Sequence, residues 1–78
     1  MLFSKEDKNL LIDAGFTIET LPQLPEFAFK SQGANGQLVV ALNPSGSISA
    51  SFDDGYTERC EVEVFNTVQE SLVFLKNI

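Results

Sequence analysis

The sequence predicts a small α+β domain, in which an antiparallel β-meander of four to five strands carries a short helix at each terminus. Apolar and polar residues alternate on both sides of the Asn43-Pro44-Ser45-Gly46 segment, which is the pattern of two strands joined by a turn. Helix-capping residues also stand near both ends of the chain. The 78 residues contain no linker, so we expect one domain, 1–78, in the order α-β-β-β-β-β-α with both helices packed on one sheet face.

The first helix is predicted from about Lys5 to Ala14. The hydroxyl of Ser4 can accept a free backbone N–H at its start, and the acidic residues that follow favour the positive end of the helix dipole. Gly15 can adopt the left-handed conformation that ends a helix, which lets Phe16 pack back on the last turn. The buried stripe is expected to consist of Leu10, Leu11 and Ala14.

Turn residues divide the centre of the chain into strands. Strands are predicted around Phe16–Thr20, Phe27–Ser31 and Gln37–Leu42. If the sheet has four strands rather than five, the strand around Phe16–Thr20 is the one that is missing. The prolines in Leu21–Pro25 remove ladder donors, so this stretch is expected to be an extended surface connection or a guarded sheet edge. The Asn35-Gly36 pair predicts a tight hairpin turn.

The last two strands alternate strictly, which predicts the side chains that face the core. In the earlier strand the core-facing residues are expected to be Ile48, Ala50 and Phe52, and the hydrated residues are Ser47, Ser49 and Ser51. After an Asp53-Asp54-Gly55 turn, the last strand is expected to point its apolar residues inward, namely Cys60, Val62 and Val64. An outer charged face would then consist of Arg59, Glu61 and Glu63.

The second helix has two possible capping registers, Asn66 with Gln69 or Thr67 with Glu70, so its first residue is predicted only to within one position. An apolar stripe at helical spacing follows, which can lie across the inner sheet face. Its residues are Val68, Leu72 and Leu75, with Phe74 and Ile78 beside them.

The composition argues against most catalytic and nucleic-acid-binding functions. The chain has no histidine, one cysteine, 11 acidic residues and five basic residues, for a net charge of −6. This acidic excess disfavours binding to nucleic acids and to anionic membranes. Without histidine, neither an activated cysteine nor a zinc site can be assembled, so we expect no enzyme and no catalytic, cofactor-binding or metal-binding residues. The lone cysteine and an N-terminus without a long apolar run favour a cytoplasmic location.

The best candidates for a hard-cation site are Asp53, Asp54 and Glu58, because calcium binds carboxylate oxygens that a turn presents. Their spacing is too short for an EF-hand loop, and Asp-Gly is ordinary hairpin-turn chemistry. We therefore interpret this segment as structural. Cys60 is likewise interpreted as a small apolar core residue.

The acidic residues favour a protein-interaction function instead. We expect a small non-enzymatic accessory protein that docks a partner with a basic surface through an acidic sheet face, using exposed aromatic rings as apolar anchors. The predicted protein-binding residues are Asp53, Asp54, Tyr56, Glu58, Glu61, Glu63 and Phe65.

Three alternatives stay open at this point. One is a homodimer that completes its small core by pairing an edge strand or the terminal helices. Another is an inhibitor or immunity-type protein that presents carboxylates in place of phosphates. A small-molecule binder or minor enzyme is the third, and it would need a concave pocket of a kind that so short a chain can rarely spare.

Overall fold

The chain folds in the predicted order of one helix, five strands and a second helix. The computed structural model describes residues 2–20, 26–32, 36–53 and 60–77, and for Asp53, Cys60 and Glu61 it describes the backbone alone. The elements are α1 (Lys5–Asp13), β1 (Thr17–Glu19), β2 (Phe27–Ser31), β3 (Gln37–Leu42), β4 (Ile48–Asp53), β5 (Cys60–Phe65) and α2 (Val68–Lys76).

The strands form one antiparallel sheet in the order β1-β2-β3-β4-β5, so every strand pairs with its neighbour in sequence. The turn between β3 and β4 closes as the sequence predicts. The Asn43 carbonyl accepts the N–H of Gly46 at 2.9 Å, and Gly46 has a φ of 91°, a conformation that side-chain-bearing residues rarely adopt. The short β1 joins the sheet through Ile18, which lies opposite Ala28.

The first helix begins and ends where its capping residues predict. Ser4 Oγ accepts the N–H of Asp7 at 3.2 Å, and Gly15 follows the helix with a φ of 92°. The Phe16 N–H donates to the Leu11 carbonyl at 2.9 Å, and both of these side chains are buried. The expected burial of Leu10 is wrong, because its side chain is 39% exposed.

The second helix uses the later of the two possible caps. Thr67 Oγ1 accepts the N–H of Glu70 at 3.2 Å and donates to the Glu70 carboxylate at 3.0 Å. Val68 and Leu75 are buried and Leu72 is partly buried, as the apolar stripe predicts. Burial of Ser71 was not predicted, and its hydroxyl donates to the Val68 carbonyl at 2.6 Å, so it is buried without losing a hydrogen bond.

The core lies between the two helices and one face of the sheet. α2 crosses that face over β4, and α1 packs against β1 and α2. The sheet contributes small and branched side chains and the helices close over them, so the helix-side face is the buried one. The buried apolar residues are Phe3, Leu11, Phe16, Ala28, Leu38, Val40, Ile48, Ala50, Val68 and Leu75.

The prediction that Val62 and Val64 of β5 point into the core is wrong. Residues directly opposite each other in antiparallel strands share a sheet face. Glu63 lies opposite Ala50 and Phe65 lies opposite Ile48, so both belong to the face that the helices cover. Val62 and Val64 therefore lie on the other face, where they are 57% and 59% exposed.

Some predicted features lie outside the described residues. They are the Leu21–Pro25 connection, Asn35 of the hairpin turn, and the Asp54-Gly55 part of the turn before β5. Gly36, which is described, has the positive φ of 100° that the hairpin prediction requires.

Candidate functional site

The sheet face opposite the helices is apolar along its centre. We call it the outer face and define it by eight side chains, namely Phe27, Phe29, Val39, Ala41, Ser49, Ser51, Val62 and Val64. The register places them in two rows that cross four strands. Because the described helices pack on the opposite side, the outer face is left half-buried on β2, β3 and β4 and open on β5.

No charged side chain belongs to the outer face as defined. Its two rows continue onto β1 at Thr17 and Glu19. Among the side chains that the structure describes on this side of the sheet, the carboxylate is that of Glu19, and it lies at the rim. The Phe27 and Phe29 rings lie side by side with centroids 6.3 Å apart. Ser49 and Ser51 on β4 separate the apolar side chains of β2 and β3 from Val62 and Val64, so the face carries two apolar patches with a strip of hydroxyls between them. Exposed apolar patches on a small protein are typical of a binding surface.

The polar groups at one end of the outer face are already hydrogen-bonded. Ser49 Oγ lies 2.8 Å from Nδ2 and 3.1 Å from Oδ1 of Asn43, and Ser47 Oγ accepts from the same Nδ2 at 3.0 Å. Covering a hydroxyl that has internal partners costs less than covering one that bonds only to water. These contacts therefore lower the free-energy cost of burying this part of the face.

A second surface lies between β5 and α2. The Phe65 and Phe74 rings are 5.4 Å apart and form its apolar floor, and Val73, 56% exposed, forms one wall. Thr67, Gln69 and Glu70 complete the lining of an open groove of about 530 Å³. Both β5 and this groove lie at the edge of the sheet, because β5 is its last strand.

The structure describes only part of the predicted protein-binding site. Asp54, Tyr56 and Glu58 lie outside the described residues, and Asp53 and Glu61 are described by backbone alone. Glu63 is exposed, as expected, but on the helix side of β5 rather than on the outer face. Phe65 is half-buried against Phe74, so it forms part of the groove floor and does not stand free as an anchor.

Glu26 is a buried carboxylate that sequence reasoning missed, only 2% exposed. Its Oε1 accepts the Phe3 N–H at 3.2 Å and lies 3.6 Å from Lys8 Nζ, and its Oε2 accepts the Thr20 hydroxyl at 2.6 Å. Burial alone would raise the pKa of Glu26, but these donors favour the charged form and bring its pKa below 4.5. The carboxylate joins the N-terminus, α1 and the end of β1, which is a structural role.

Within the described parts of the chain, no group of three or more acidic, cysteine or histidine side chains is placed to hold a metal ion. Among those same residues, no helix has the length and apolar character that crossing a membrane requires.

Comparison with protein-family models, with curated proteins and with solved structures gives no significant match to this chain.

The sequence carried one signal for the outer face. The expected alternation does not hold for β2 and β3. Phe27 and Phe29 flank Ala28, and Val39 flanks Val40, so both strands are apolar on both faces. Strands of that kind are usually covered on both sides. No comparable signal marks Glu26, because an acidic residue that follows Pro25 resembles any exposed loop residue.

Proposed function

We propose that this chain is a non-enzymatic interaction protein that forms a homodimer by packing its outer face against the same face of a second copy. The observation that carries this proposal is the exposure of Val62 and Val64 on a sheet face that also holds Phe27 and Phe29 and whose eight defining side chains carry no charge. The proposal retains the cytoplasmic location that the sequence favours.

Charge supports a second copy as the occupant of the outer face. The protein carries a net charge of −6, so two copies repel each other unless they meet through a surface from which charge is absent. The eight side chains of the outer face form such a surface, with Glu19 at its rim. A basic partner would gain no charge complementarity there, since the described carboxylates near this face lie at its rim or on the helix side.

Shape also supports self-association. Bulky rings stand on β2, and small hydroxyls stand on β4, with β3 between them. A twofold axis running along β3 places β2 of one copy over β4 of the other, so that Phe27 and Phe29 lie over Ser49 and Ser51. Such an interface is isologous, and the two sheets would stack about 10 Å apart, as in β-sandwiches.

The outer face is large enough to form the centre of an interface. Four strands about 4.8 Å apart and two rows of side chains about 6.6 Å apart make a face of about 19 by 13 Å, or roughly 250 Å² in projection. A standard interface buries about 800 Å² of accessible surface on each partner. A dimer of standard size would therefore also bury residues around the outer face.

Docking to a basic protein surface is the second candidate function. It is favoured by the exposure of Glu63 and Glu70 on the helix side of the β5 edge, beside the groove. The predicted acidic surface is thus proposed at the edge of the sheet instead of on its outer face.

The homodimer is tested by comparing the mass of the wild type with that of V62E/V64E. In the twofold arrangement Val64 of one copy lies over Glu19 of the other, so a glutamate at position 64 would meet a like charge. The matched control is L2E/I12E, because Leu2 and Ile12 are 61% and 58% exposed and give the same change in charge. We expect the wild type and the control to sediment as dimers, whereas V62E/V64E sediments as a monomer that keeps its circular dichroism spectrum.

Two outcomes would contradict the homodimer. One is a wild-type mass that stays monomeric across the concentration range. The other is a dimer that persists in V62E/V64E, which would move the interface to another surface.

A further inference from the structure

β5 is the last strand of the described sheet. It is six residues long, and in the described part of the chain no strand lies beyond it. The opposite edge, β1, has only three residues. An edge strand presents a row of backbone N–H and C=O groups that can pair with another extended chain, and a long edge offers more of them than a short one.

The groove described above adds a side-chain pocket to this edge. Phe65 ends β5 on the helix side, and its ring forms the floor together with Phe74. A residue added opposite Phe65 would point to the same side and enter the groove, where the exposed Val73 forms the wall. Backbone pairing along β5 and an apolar anchor in the groove can therefore be satisfied by one extended segment.

The charges beside β5 indicate which residue types that segment should carry. Glu63 is exposed on the helix side of β5, and Glu70 is exposed at the groove. Pairing of β5 with β5 of a second copy would bring Glu63 against acidic residues of the same strand, which opposes self-association at this edge. A basic residue opposite Glu63 reverses that repulsion, and apolar residues suit the positions opposite Val62 and Val64.

We propose that β5 and the groove bind an extended segment of another protein, in which basic and apolar residues alternate, as a sixth strand of the sheet. In an antiparallel arrangement its order is leucine or a similar apolar residue opposite Phe65, an apolar residue opposite Val64, and lysine or arginine opposite Glu63. This site uses the backbone edge and the helix side of β5, and its apolar residues opposite Val62 and Val64 lie beside the proposed dimer face.

The test uses a synthetic capped peptide with the order leucine-valine-lysine-valine-lysine, titrated into ¹⁵N-labelled protein. The control peptide has the same composition in the order lysine-lysine-leucine-valine-valine. We expect the first peptide to shift the amide signals of residues 62–65 and 73–74, to slow hydrogen exchange along β5, and to bind about tenfold more tightly than the control peptide, equivalent to about 1.4 kcal/mol.

Protein variants separate specific binding from general attraction to an acidic protein. Val73→Lys and Glu63→Lys should each weaken binding about tenfold, equivalent to about 1.4 kcal/mol. Ile12→Lys is the matched control for Val73→Lys, because Ile12 has nearly the same exposure as Val73 and the substitution adds the same charge. Glu6→Lys is the matched control for Glu63→Lys, because both glutamates are exposed and both substitutions change the charge by two. The affinity of each control should match the wild type. The variants are compared at a concentration at which sedimentation shows them in the same oligomeric state.

Equal binding of the two peptides would overturn the proposal, as would signal shifts that fall outside β5 and the groove. Failure of the peptide to bind at its solubility limit would also overturn it. None of these outcomes affects the homodimer, which is measured by mass in the absence of peptide.

Discussion

At the residue scale, Glu26 shows how a charge is made compatible with a small core. Its carboxylate is buried, yet each oxygen has a hydrogen-bond donor, and Lys8 provides a nearby positive charge. A buried carboxylate without such partners would be neutral or would destabilise the fold. The partners come from Phe3, Lys8 and Thr20, so the position of Glu26 depends on the N-terminal segment, on α1 and on the residue that follows β1.

We predict that Glu26→Gln lowers the free energy of unfolding at pH 7 by about 1–3 kcal/mol, because the amide cannot accept all the donors that the carboxylate accepts. The effect should depend on pH. The pKa of Glu26 in the folded protein is below 4.5, so its stabilisation is complete above that pH and is lost as the pH falls through the folded-state pKa. The difference between wild type and variant should therefore shrink in acid.

Urea denaturation at several pH values between neutrality and moderate acid would measure this difference. Glu19→Gln is the control, because Glu19 is exposed and its loss changes the net charge equally. A difference between the wild type and Glu26→Gln that stays constant with pH would contradict the assigned role of the carboxylate.

At the element scale, local signals predicted the element boundaries well. The observed bounds of β2 and β3 match the predicted ranges, and α1 ends one residue before its predicted last residue, Ala14. These segments are defined by Gly, Pro and capping residues, whose backbone preferences act over a few positions and do not depend on the rest of the fold. These local preferences could not show which residue caps α2, because Asn66 and Thr67 are both good capping residues.

We predict that Thr67→Ala destabilises the protein by about 1 kcal/mol, whereas Asn66→Ala changes its stability by less than about 0.5 kcal/mol. Thr67 Oγ1 accepts the free N–H of Glu70, and Asn66 is exposed. Thermal or urea unfolding of the two variants gives the comparison directly. The reverse order of stabilities would place the start of α2 one residue earlier.

The orientation of β5 could not be predicted from its own alternation. Alternation divides a strand into two faces but does not say which one meets the core, and a shift of one residue in the pairing exchanges them. The valines of β5 suggested an inward face because a covered core is the usual reason for such residues. Here pairing with β4 places Glu63 beyond Ala50 on the helix side, where the edge of the sheet extends far enough for the carboxylate to reach water.

At the scale of the whole molecule, most of the described acidic and apolar groups of the sheet lie on different sides of it. The exposed Glu63 and Glu70 lie on the helix side near β5, and the opposite side presents rings, valines and hydroxyls, with Glu19 at its rim. A chain of this size buries a modest share of its surface on its own, so covering a sheet face would add to its stability. The proposed self-association through the outer face would therefore stabilise the fold as well as provide a function.

The most direct measurement of the homodimer is an isotope-filtered nuclear Overhauser experiment on a mixture of labelled and unlabelled protein. Within one chain, β3 separates β2 from β4, so Phe29 and Ser51 lie about 10 Å apart, too far for a cross-peak. The twofold arrangement predicts cross-peaks between the Phe29 ring of one copy and the Ser51 side chain of the other. A dimeric sample without cross-peaks between outer faces, or a monomer at the concentration of the experiment, would contradict it.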